Sequence, residues 1–449
     1  MAEETSPSST SVNMKNEEGM SNDPVEDPSI ETATKTDAFV PPDRGYKAWL
    51  CVLAGFLMQF GTFGYVNACG IFQYYYQDVL LKDQSTSSLA WITTLQIFLL
   101  FCFGPIIGKL VDVYGPRPIT IPFSVLAVFA LCMLSLCKEY YQVMLAQGVA
   151  FGLGTAGISL PAMVVVSQWF SKKRGLAVGI VASGSSGVVF PIMVTKLIAR
   201  VGFHASVRWT ALLVGICLLI ANICISSPLP HNKQARQAPK PKAPKNDFKA
   251  SKSIPWIAFT SGCFFCMWGL FAPLNYLPEM AVLKGMSTEL AQYTISIANA
   301  GSIFGRILPG HFADHVGTFN VYFVFCFLTG ASVMAFWLPL ELYPSNAGII
   351  VFACFYGFVS GAFVSLGPPC VVQLADGKVE RLGVMMGGWC LAVAFGSLTG
   401  LPIQGAIKDH DGDSFIGLMI FAGVVMLFGA VLIGVVRTVK AEWKIGVKV

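Results

Sequence analysis

Two stretches of the chain share one spacing of glycine and aspartate: GKLVDVYGPRP at residues 108–118 and GHFADHVGTFN at residues 310–320. Both read G-x-x-x-D-x-x-G, and the second copy begins 202 residues after the first. One copy of so short a pattern would carry little weight. Two copies, each at the same place in its half of the chain, indicate an internal duplication. The sequence therefore predicts two structurally related halves.

The composition places both halves in a membrane. Hydrophobic residues make up 54% of the 449 residues, and charged residues only 12%. Soluble globular proteins carry about a quarter charged residues, and the charges here avoid the interiors of long apolar runs. The 44 glycines agree with this, because glycine is more frequent in transmembrane helices than in soluble ones. The sequence predicts an all-α, multi-pass membrane protein.

Apolar runs long enough to cross a bilayer, roughly 20 residues each, give the number of helices. The predicted spans cover residues 48–70, 88–108, 118–137, 143–165, 175–196, 208–227, 254–277, 291–312, 318–339, 347–369, 382–404 and 415–437. A proline-rich basic stretch divides them six and six. We therefore predict a disordered cytoplasmic tail, an N-terminal six-helix bundle, a cytoplasmic basic linker, a C-terminal six-helix bundle and a cytoplasmic tail, at residues 1–42, 43–227, 228–253, 254–437 and 438–449.

The lysines and arginines predict the orientation, since they favour cytoplasmic loops. With the N-terminus inside, 22 of the 30 cations lie in cytoplasmic segments. Seven lie on the opposite side: Lys82, Lys138, Lys196, Arg200, Arg208, Lys284 and Lys408. The remaining cation is Arg306, which falls inside a predicted span. Both termini are therefore expected in the cytoplasm, and KDHDGDS at residues 408–414 is expected to be an external turn.

These motifs carry a resemblance to a known family. The first glycine–aspartate stretch resembles the signature of the major facilitator superfamily, which Gly108, Leu110, Asp112, Gly115 and Arg117 fit. Within that superfamily, WFSKKRGLAVGIVASGSSG (169–187) and PDRGYKAW (42–49) resemble the fifth-helix and first-helix signatures of the monocarboxylate porter family. NACGIFQYYY (67–76) and GSIFGRILPG (301–310) are most similar to its fungal branch. The resemblance implies the major facilitator fold, with twelve transmembrane helices in two pseudo-symmetric six-helix bundles.

The fifth-helix stretch brings three cations, Lys172, Lys173 and Arg174, directly before an apolar run with glycines at 175, 179, 184 and 187. A phosphate-binding loop would need Lys-Ser/Thr after its glycines, and here the cations precede them. We predict instead that the cations anchor the inner end of the helix in the headgroup region. The glycines are then expected to let neighbouring helices approach closely.

The paired aspartates have a gating role in the resembled family. Asp112 is expected to face the start of the eleventh helix near Arg381, and Asp314 the cations 172–174 at the start of the fifth. Such contacts, with Arg117 of the same motif, would hold the cytoplasmic side shut and break as the halves rock. The alternative is ordinary capping of the loops.

Arg306 is the clearest candidate for substrate binding, because an ionisable residue inside a membrane is costly and usually functional. Its planar guanidinium matches a carboxylate with two parallel hydrogen bonds. In the monocarboxylate porter family an arginine at this place binds the substrate anion, and Arg306 matches it. The alternative is an internal salt bridge, for which no aspartate or glutamate lies deep enough in the predicted spans.

Two positions depart from the animal members of that family. Those members have a lysine in the first helix and an aspartate one turn before the arginine, whereas this chain has Asn67 and Ser302. Proton coupling is usually ascribed to those groups, so lactate-type proton symport is in doubt. Asn67 and Ser302 are expected to hydrogen-bond a larger, more neutral ligand. Further side chains expected in the cavity are Tyr65, Gln96, Asn275, Tyr276, Asn299, Tyr356 and Trp389, the last with packing as an equal alternative.

The function classes follow from these residues. No enzyme motif, cofactor site or nucleic-acid site is visible, and the five histidines form no metal constellation. We predict a transporter whose partners are a small organic solute, with or without a coupling proton, and the lipid bilayer. The leading expectation is a secondary active or facilitative transporter that moves a carboxylate-bearing solute by alternating access. The alternatives are an efflux transporter for a fungal secondary metabolite and a non-transporting nutrient receptor. The plasma membrane is the expected location, with the vacuolar or another internal membrane as the alternative.

Overall fold

The computed structural model describes residues 45–170, 174–228, 253–375, 379–412 and 414–441. The backbone alone is described for Asp112, for 174–175, for Asp314 and for 379–383. The predicted N-terminal tail and nearly all of the predicted linker lie outside these residues. All of the regular elements in the described ranges are helices, so the predicted all-α class is confirmed for them.

Within the described ranges, eleven helices are long and apolar enough to cross a membrane. Numbered along the chain, they are α1 (Tyr46–Leu80), α2 (Thr86–Val111), α3 (Arg117–Leu134), α4 (Tyr140–Trp169), α5 (Leu176–Val201), α6 (Phe203–Cys224), α7 (Ile254–Leu283), α9 (Thr318–Leu342), α10 (Asn346–Leu374), α11 (Val384–Asp411) and α12 (Ile416–Lys440). The helical backbone of α5 already begins at Arg174, and that of α11 at Val379. The structure thus supports a multi-pass membrane protein.

The remaining helix, α8 (Thr288–Val316), has 29 residues but is more polar than the other eleven. It carries Asn299, Ser302 and Arg306, which are all buried in the protein. A helix that faces the interior of a bundle does not need the apolar surface of a lipid-facing helix. Its polarity therefore reflects its position between other helices.

The two copies of the glycine–aspartate pattern have the same backbone geometry. The helical backbone of α2 continues to Tyr114 and ends at Gly115 with φ 84°, and α8 ends at Gly317 with φ 110°. Each donates its amide to the fourth residue back, Gly115 to Val111 O at 2.8 Å and Gly317 to Ala313 O at 3.0 Å. Only glycine adopts this left-handed cap without strain. The shared spacing in the sequence thus corresponds to one repeated helix end.

The two halves, α1–α6 and α7–α12, meet along three pairs of helices. α2 packs along α11, α5 along α8, and α1 against α7. Large apolar side chains on α3, α6, α9 and α12 remain exposed, among them Phe129, Leu219, Phe327 and Phe428. Such extended apolar faces suit lipid rather than water. The polar helix α8 accordingly lies inside, where it packs along α5 of the other half.

Candidate functional site

Two interrupted helices meet at the centre of this interface. The helical backbone of α1 is broken at Asn67–Ala68 and that of α5 at Ser185–Val188. Asn67 Nδ2 donates to the carbonyl of Ser185 at 2.7 Å, which joins the two breaks. Breaks inside a membrane leave backbone groups without helical partners, and such groups are tolerated where they line a cavity or contact protein. The breaks therefore expose backbone carbonyls in the protein interior.

Glycine makes the close approach of α1 and α5 possible. Gly187 has φ 60°, and a Cβ atom there would lie within 3 Å of three backbone atoms of Gly64. A Cβ atom at Gly184 would likewise overlap the backbone of Phe56. The predicted close approach thus holds at Gly184 and Gly187. It does not hold at Gly179, where no atom lies within 4 Å of a Cβ position.

The three polar residues of α8 share one face, because positions 299, 302 and 306 follow the helical spacing of three and four residues. The neighbouring Gly301 and Gly305 pack against the backbone of α10, where a Cβ atom would overlap Cys354 or Phe358. This tight contact with α10 orients α8 so that its polar face points toward α1 and α5.

Arg306 bridges from α8 to the broken turn of α5. Its Nη1 donates to Ala182 O at 3.0 Å and to the Ser185 hydroxyl. The arginine is 6% exposed, and its Nε has no hydrogen-bond partner among the described residues. Ala182 lies in the last turn of the helix Arg174–Gly184, so the cation meets the negative end of that helix dipole.

No carboxylate in the described ranges forms an ion pair with Arg306. The guanidinium is held by a carbonyl and a hydroxyl at the negative end of a helix dipole, and no full negative charge in the described ranges balances it. Buried charged groups normally have a partner, and the lack of one favours a bound anion. Arg306 therefore has the surroundings of an anion-binding group.

Two small cavities surround this cluster. The first has a volume of about 30 Å³ and is lined by Phe63, Asn67, Leu270, Phe271, Leu274, Ala298, Asn299, Ser302, Arg306, Gly357, Ser360 and Val364. Four of the predicted substrate-binding residues, Arg306, Asn67, Ser302 and Asn299, thus lie together. Metabolite-sized pockets measure about 300–1,000 Å³. A substrate of that size can bind only if the halves separate further.

The second cavity, of about 50 Å³, is more apolar. Its lining includes Phe63, Phe101, Phe271 and Trp389 together with the polar residues Gln59 and Ser159. Trp389 packs edge-on to Phe101 with ring centroids 6.3 Å apart, and its Nε1 has no partner among the described residues. Trp389 is thus both a packing residue and a donor beside a cavity.

Asn275 and Tyr276 are buried but line neither cavity. Asn275 Nδ2 donates to Phe271 O at 2.8 Å within its own helix, and Tyr276 Oη donates to Leu401 O at 3.3 Å. The latter contact joins α7 to α11. Both side chains therefore have structural contacts in this conformation.

The predicted gating residues are only partly described. Arg117 donates to Ile225 O at 2.9 Å and Ile223 O at 2.8 Å, and thus caps α6 within its own half. The side chains of Asp112, Asp314, Arg174 and Arg381 and the residues Lys172 and Lys173 lie outside the described part of the chain. Their gating contacts stay a prediction.

Polar contacts join the halves at the far end, which we define as the end where Leu81–Ser85 connects α1 to α2. Asp409 accepts from the backbone amides of Thr86 and Ser87 at 3.1 Å each. Its carboxylate therefore caps the N-terminus of α2 from the other half.

The predicted external turn at 408–414 is wrong for its first residues, because α11 remains helical to Asp411.

An ion pair lies beside this cap. Glu279 Oε1 is 2.8 Å from Lys408 Nζ, and both side chains are mostly buried. Glu279 also accepts from Gln77 Nε2 of α1 at 3.1 Å. At the opposite, motif end, where Gly115 and Gly317 lie, no atom of the described side chains and backbone comes within 4 Å of the Cβ positions of Gly108 and Gly310.

Sequence reasoning missed the residues that depend on distant contacts. Ser185, Gln59, Ser159, Asp409 and Glu279 were not identified as site or interface residues. The one local signal was the GSSG run at residues 184–187, whose small and polar residues weaken a helix.

An all-helical membrane protein with a repeated helix end in each half and a polar cavity between the halves has the architecture of a secondary transporter. The family model described as "Major Facilitator Superfamily" matches residues 48–379. The chain belongs to this superfamily, and the predicted superfamily resemblance is confirmed.

Several fungal transporters are similar over nearly the whole chain. The chain is 58% identical to the "MFS-type transporter hasB" of Aspergillus fumigatus over 93% of this chain and 95% of that protein. It is 39% identical to the "Fujikurins efflux protein" of Gibberella fujikuroi, over 91% and 86% of the two chains. It is also 39% identical to the "Agnestins efflux protein AgnL12" of Paecilomyces divaricatus, over 96% and 97%.

Proposed function

We propose that the protein exports a small organic metabolite that carries a carboxylate or a similar oxygen-rich anionic group. The observation that carries this proposal is the buried guanidinium of Arg306, which lies beside the cavity between the halves without a carboxylate partner. Export is supported by the names of two relatives, the fujikurins efflux protein and the agnestins efflux protein. Export therefore replaces the carboxylate porter as the leading function. The carboxylate of the substrate remains the group that binds Arg306.

The lining of the cavities supports an amphiphilic substrate. Arg306, Asn299 and Trp389 provide donors, whereas Phe63 and Phe271 provide aromatic surface. A guanidinium pairs best with a planar oxyanion, and aromatic walls favour a large apolar body. An oxygen-bearing aromatic or polyketide-like metabolite combines both properties, in contrast to a compact acid such as lactate.

Alternating access is the mechanism we propose for this export. In it, α8 is the twelfth span, and the halves α1–α6 and α7–α12 are two six-helix bundles that rock about the central site. The motif end faces the cytoplasm, as the lysines and arginines predict. Breaking the contacts of Asp409 and Glu279 opens the far end, and the contacts predicted for Asp112 and Asp314 close the motif end. The plasma membrane is the location that suits export.

A coupling proton would need a carrier, and neither cavity is lined by a carboxylate in the described ranges. The buried carboxylate of Glu341 and the mostly buried carboxylate of Glu279 each lie within 3 Å of a lysine, Lys284 and Lys408 respectively. The resemblance to monocarboxylate porters therefore supports the anion-binding role of Arg306 more than it supports proton symport at that site.

The test is deletion of the gene in its own organism, followed by mass spectrometry of the culture medium and the cell extract. We expect one group of related metabolites to fall in the medium and to rise in the cells. Reintroducing the wild-type gene should restore export. Unchanged distribution of all metabolites at normal protein expression in the parent strain would contradict the proposal.

A further inference from the structure

Gln59 provides a hydrogen-bond acceptor without a donor beside the second cavity. The glutamine is 2% exposed and lines this cavity together with Ser159. Its Nε2 donates to the carbonyl of Ser159 at 3.3 Å. Exchanging the two amide atoms would place two acceptors against each other, so this hydrogen bond fixes the orientation of the amide. Oε1 then has no hydrogen-bond partner among the described residues.

The two neighbouring hydroxyl groups do not supply the missing proton. Thr62 Oγ1 donates to Met58 O at 2.7 Å and lies 2.8 Å from Ser159 Oγ. A hydroxyl group has one proton to donate. Since Thr62 uses its proton on Met58, Ser159 has to donate to Thr62. Both protons are therefore used within this cluster, and neither reaches Oε1 of Gln59.

Among the residues that line the two cavities, Gln59 differs in the kind of hydrogen bond that it lacks. Asn299 Nδ2, Arg306 Nε and Trp389 Nε1 also have no partner in the described part of the chain, but all three are donors. Such donors suit the oxygen atoms of a substrate. Gln59 Oε1 is an acceptor, so it requires a group that carries a hydrogen, such as a hydroxyl.

One face of α1 connects this acceptor to the anion site. Gln59, Phe63 and Asn67 are spaced four residues apart. Gln59 and Phe63 line the second cavity, whereas Phe63 and Asn67 line the first cavity with Arg306. The helical rise separates residues 59 and 67 by about 12 Å along α1. The π-helical segment Phe60–Gly64 lies between them, and such segments are frequent at functional sites.

We propose that Gln59 accepts a hydrogen bond from a hydroxyl group of the substrate and thereby selects a hydroxylated aromatic carboxylate. This inference rests on the proposed function, since it places the hydroxyl on the same molecule whose carboxylate binds Arg306. The aromatic body lies against Phe63, and the hydroxyl reaches Gln59 as the halves separate. An acid without that hydroxyl leaves the buried acceptor unpaired, and sites built to hydrogen-bond a hydroxyl strongly reject such analogues.

The first experiment measures binding of 6-hydroxy-2-naphthoate and 2-naphthoate to purified full-length protein by isothermal titration calorimetry. The two acids differ only in the hydroxyl group at the end opposite the carboxylate. We expect wild type to bind the hydroxylated acid about tenfold more tightly, because the acceptor is then paired. 6-Methoxy-2-naphthoate, whose ether oxygen accepts but does not donate, should show no such gain.

Gln59→Leu should abolish the preference for the hydroxylated acid, so that the two affinities become equal. The matched control is Gln73→Leu in the same helix. Gln73 is also buried and its amide has no partner among the described residues, but it lines neither cavity. This control should keep the wild-type preference. An equal preference in wild type and Gln59→Leu, or no preference in wild type because water satisfies Oε1, would overturn the inference.

A second pair of probes makes the test independent of the anion site. 2-Naphthol donates a hydrogen bond without carrying a negative charge, whereas 2-methoxynaphthalene does not donate. We expect wild type, but not Gln59→Leu, to prefer the naphthol. If neither acid binds, equal binding or no binding of these uncharged probes would overturn the inference.

Arg306→Ala tests the proposed function separately. It should weaken the binding of both acids alike and leave the preference for the hydroxyl group unchanged. Undiminished binding of both acids by Arg306→Ala would contradict the proposed function, whereas the role of Gln59 is measured by the hydroxyl preference alone.

Discussion

At the scale of single residues, Gly187 shows how a glycine in the apolar run determines the site. Its φ of 60° turns the chain between the two segments of α5, and its lack of a Cβ atom admits the backbone of Gly64. Both requirements exclude other residues. The site therefore depends on a residue that contacts no substrate.

Gly187→Ala is expected to destabilise the protein. A left-handed conformation costs a non-glycine residue about 1–2 kcal/mol, and overlap with Gly64 adds about 1–3 kcal/mol. We expect a lower melting temperature in detergent, measured by fluorescence-detected size-exclusion chromatography after heating. The control is Gly179→Ala in the same helix, which has open space and should be neutral or slightly stabilising. Equal melting temperatures for the two variants would contradict this explanation.

At the scale of helices, Asp409 caps α2 from the opposite half. Asp409→Asn should weaken that cap, because a neutral amide loses the interaction with the helix dipole and part of the hydrogen bonding. Loss of a negative charge at an exposed helix N-terminus costs about 0.3–1 kcal/mol. We expect faster amide hydrogen exchange at Thr86 and Ser87, measured by mass spectrometry in nanodiscs. Asp83→Asn in the exposed loop before α2 is the control, and equal exchange in both variants would contradict the cap.

The Glu279–Lys408 pair leads to a prediction for a double-mutant cycle. Removing one member leaves a mostly buried charge without its partner, which costs about 3–5 kcal/mol, whereas replacing both is much less costly. We expect Glu279→Gln and Lys408→Met each to lower the melting temperature, and the double variant to recover much of the loss. Additive losses would show that the two charges act independently.

The helices also show how far the sequence leads. Apolar runs of bilayer length identify most spans, because lipid demands apolar surface along a whole helix. The polar residues of α8 fit the same logic only when the helix faces the protein interior. The breaks in α1 and α5 are not predictable in this way, since they depend on contacts between Asn67, Ser185 and Gly187 across the fold. The glycines predicted close packing, but not the interrupted backbone.

At the scale of the whole molecule, the repeated pattern predicts two related halves, and Gly115 and Gly317 end α2 and α8 in the same way. Arg306 was identifiable because a charge in an apolar region is costly. The contacts of Arg306 with Ala182 and Ser185 were not identifiable from the sequence, because the carbonyl of Ala182 becomes available only where the helix of α5 breaks. The sequence thus identifies the charged group, and the fold determines what holds it.

The central claim is that Arg306 binds the exported anion, and the most direct measurement is transport of the metabolite retained in the deletion strain. Uptake into inside-out membrane vesicles is compared for wild type, Arg306→Lys and Arg306→Ala at matched protein levels. We expect Arg306→Lys to lower kcat/KM about tenfold, since an ammonium cannot form the bidentate pair. Arg306→Ala should lose more, about 2–5 kcal/mol of transition-state stabilisation. Transport by Arg306→Ala with the wild-type rate and KM would contradict the claim.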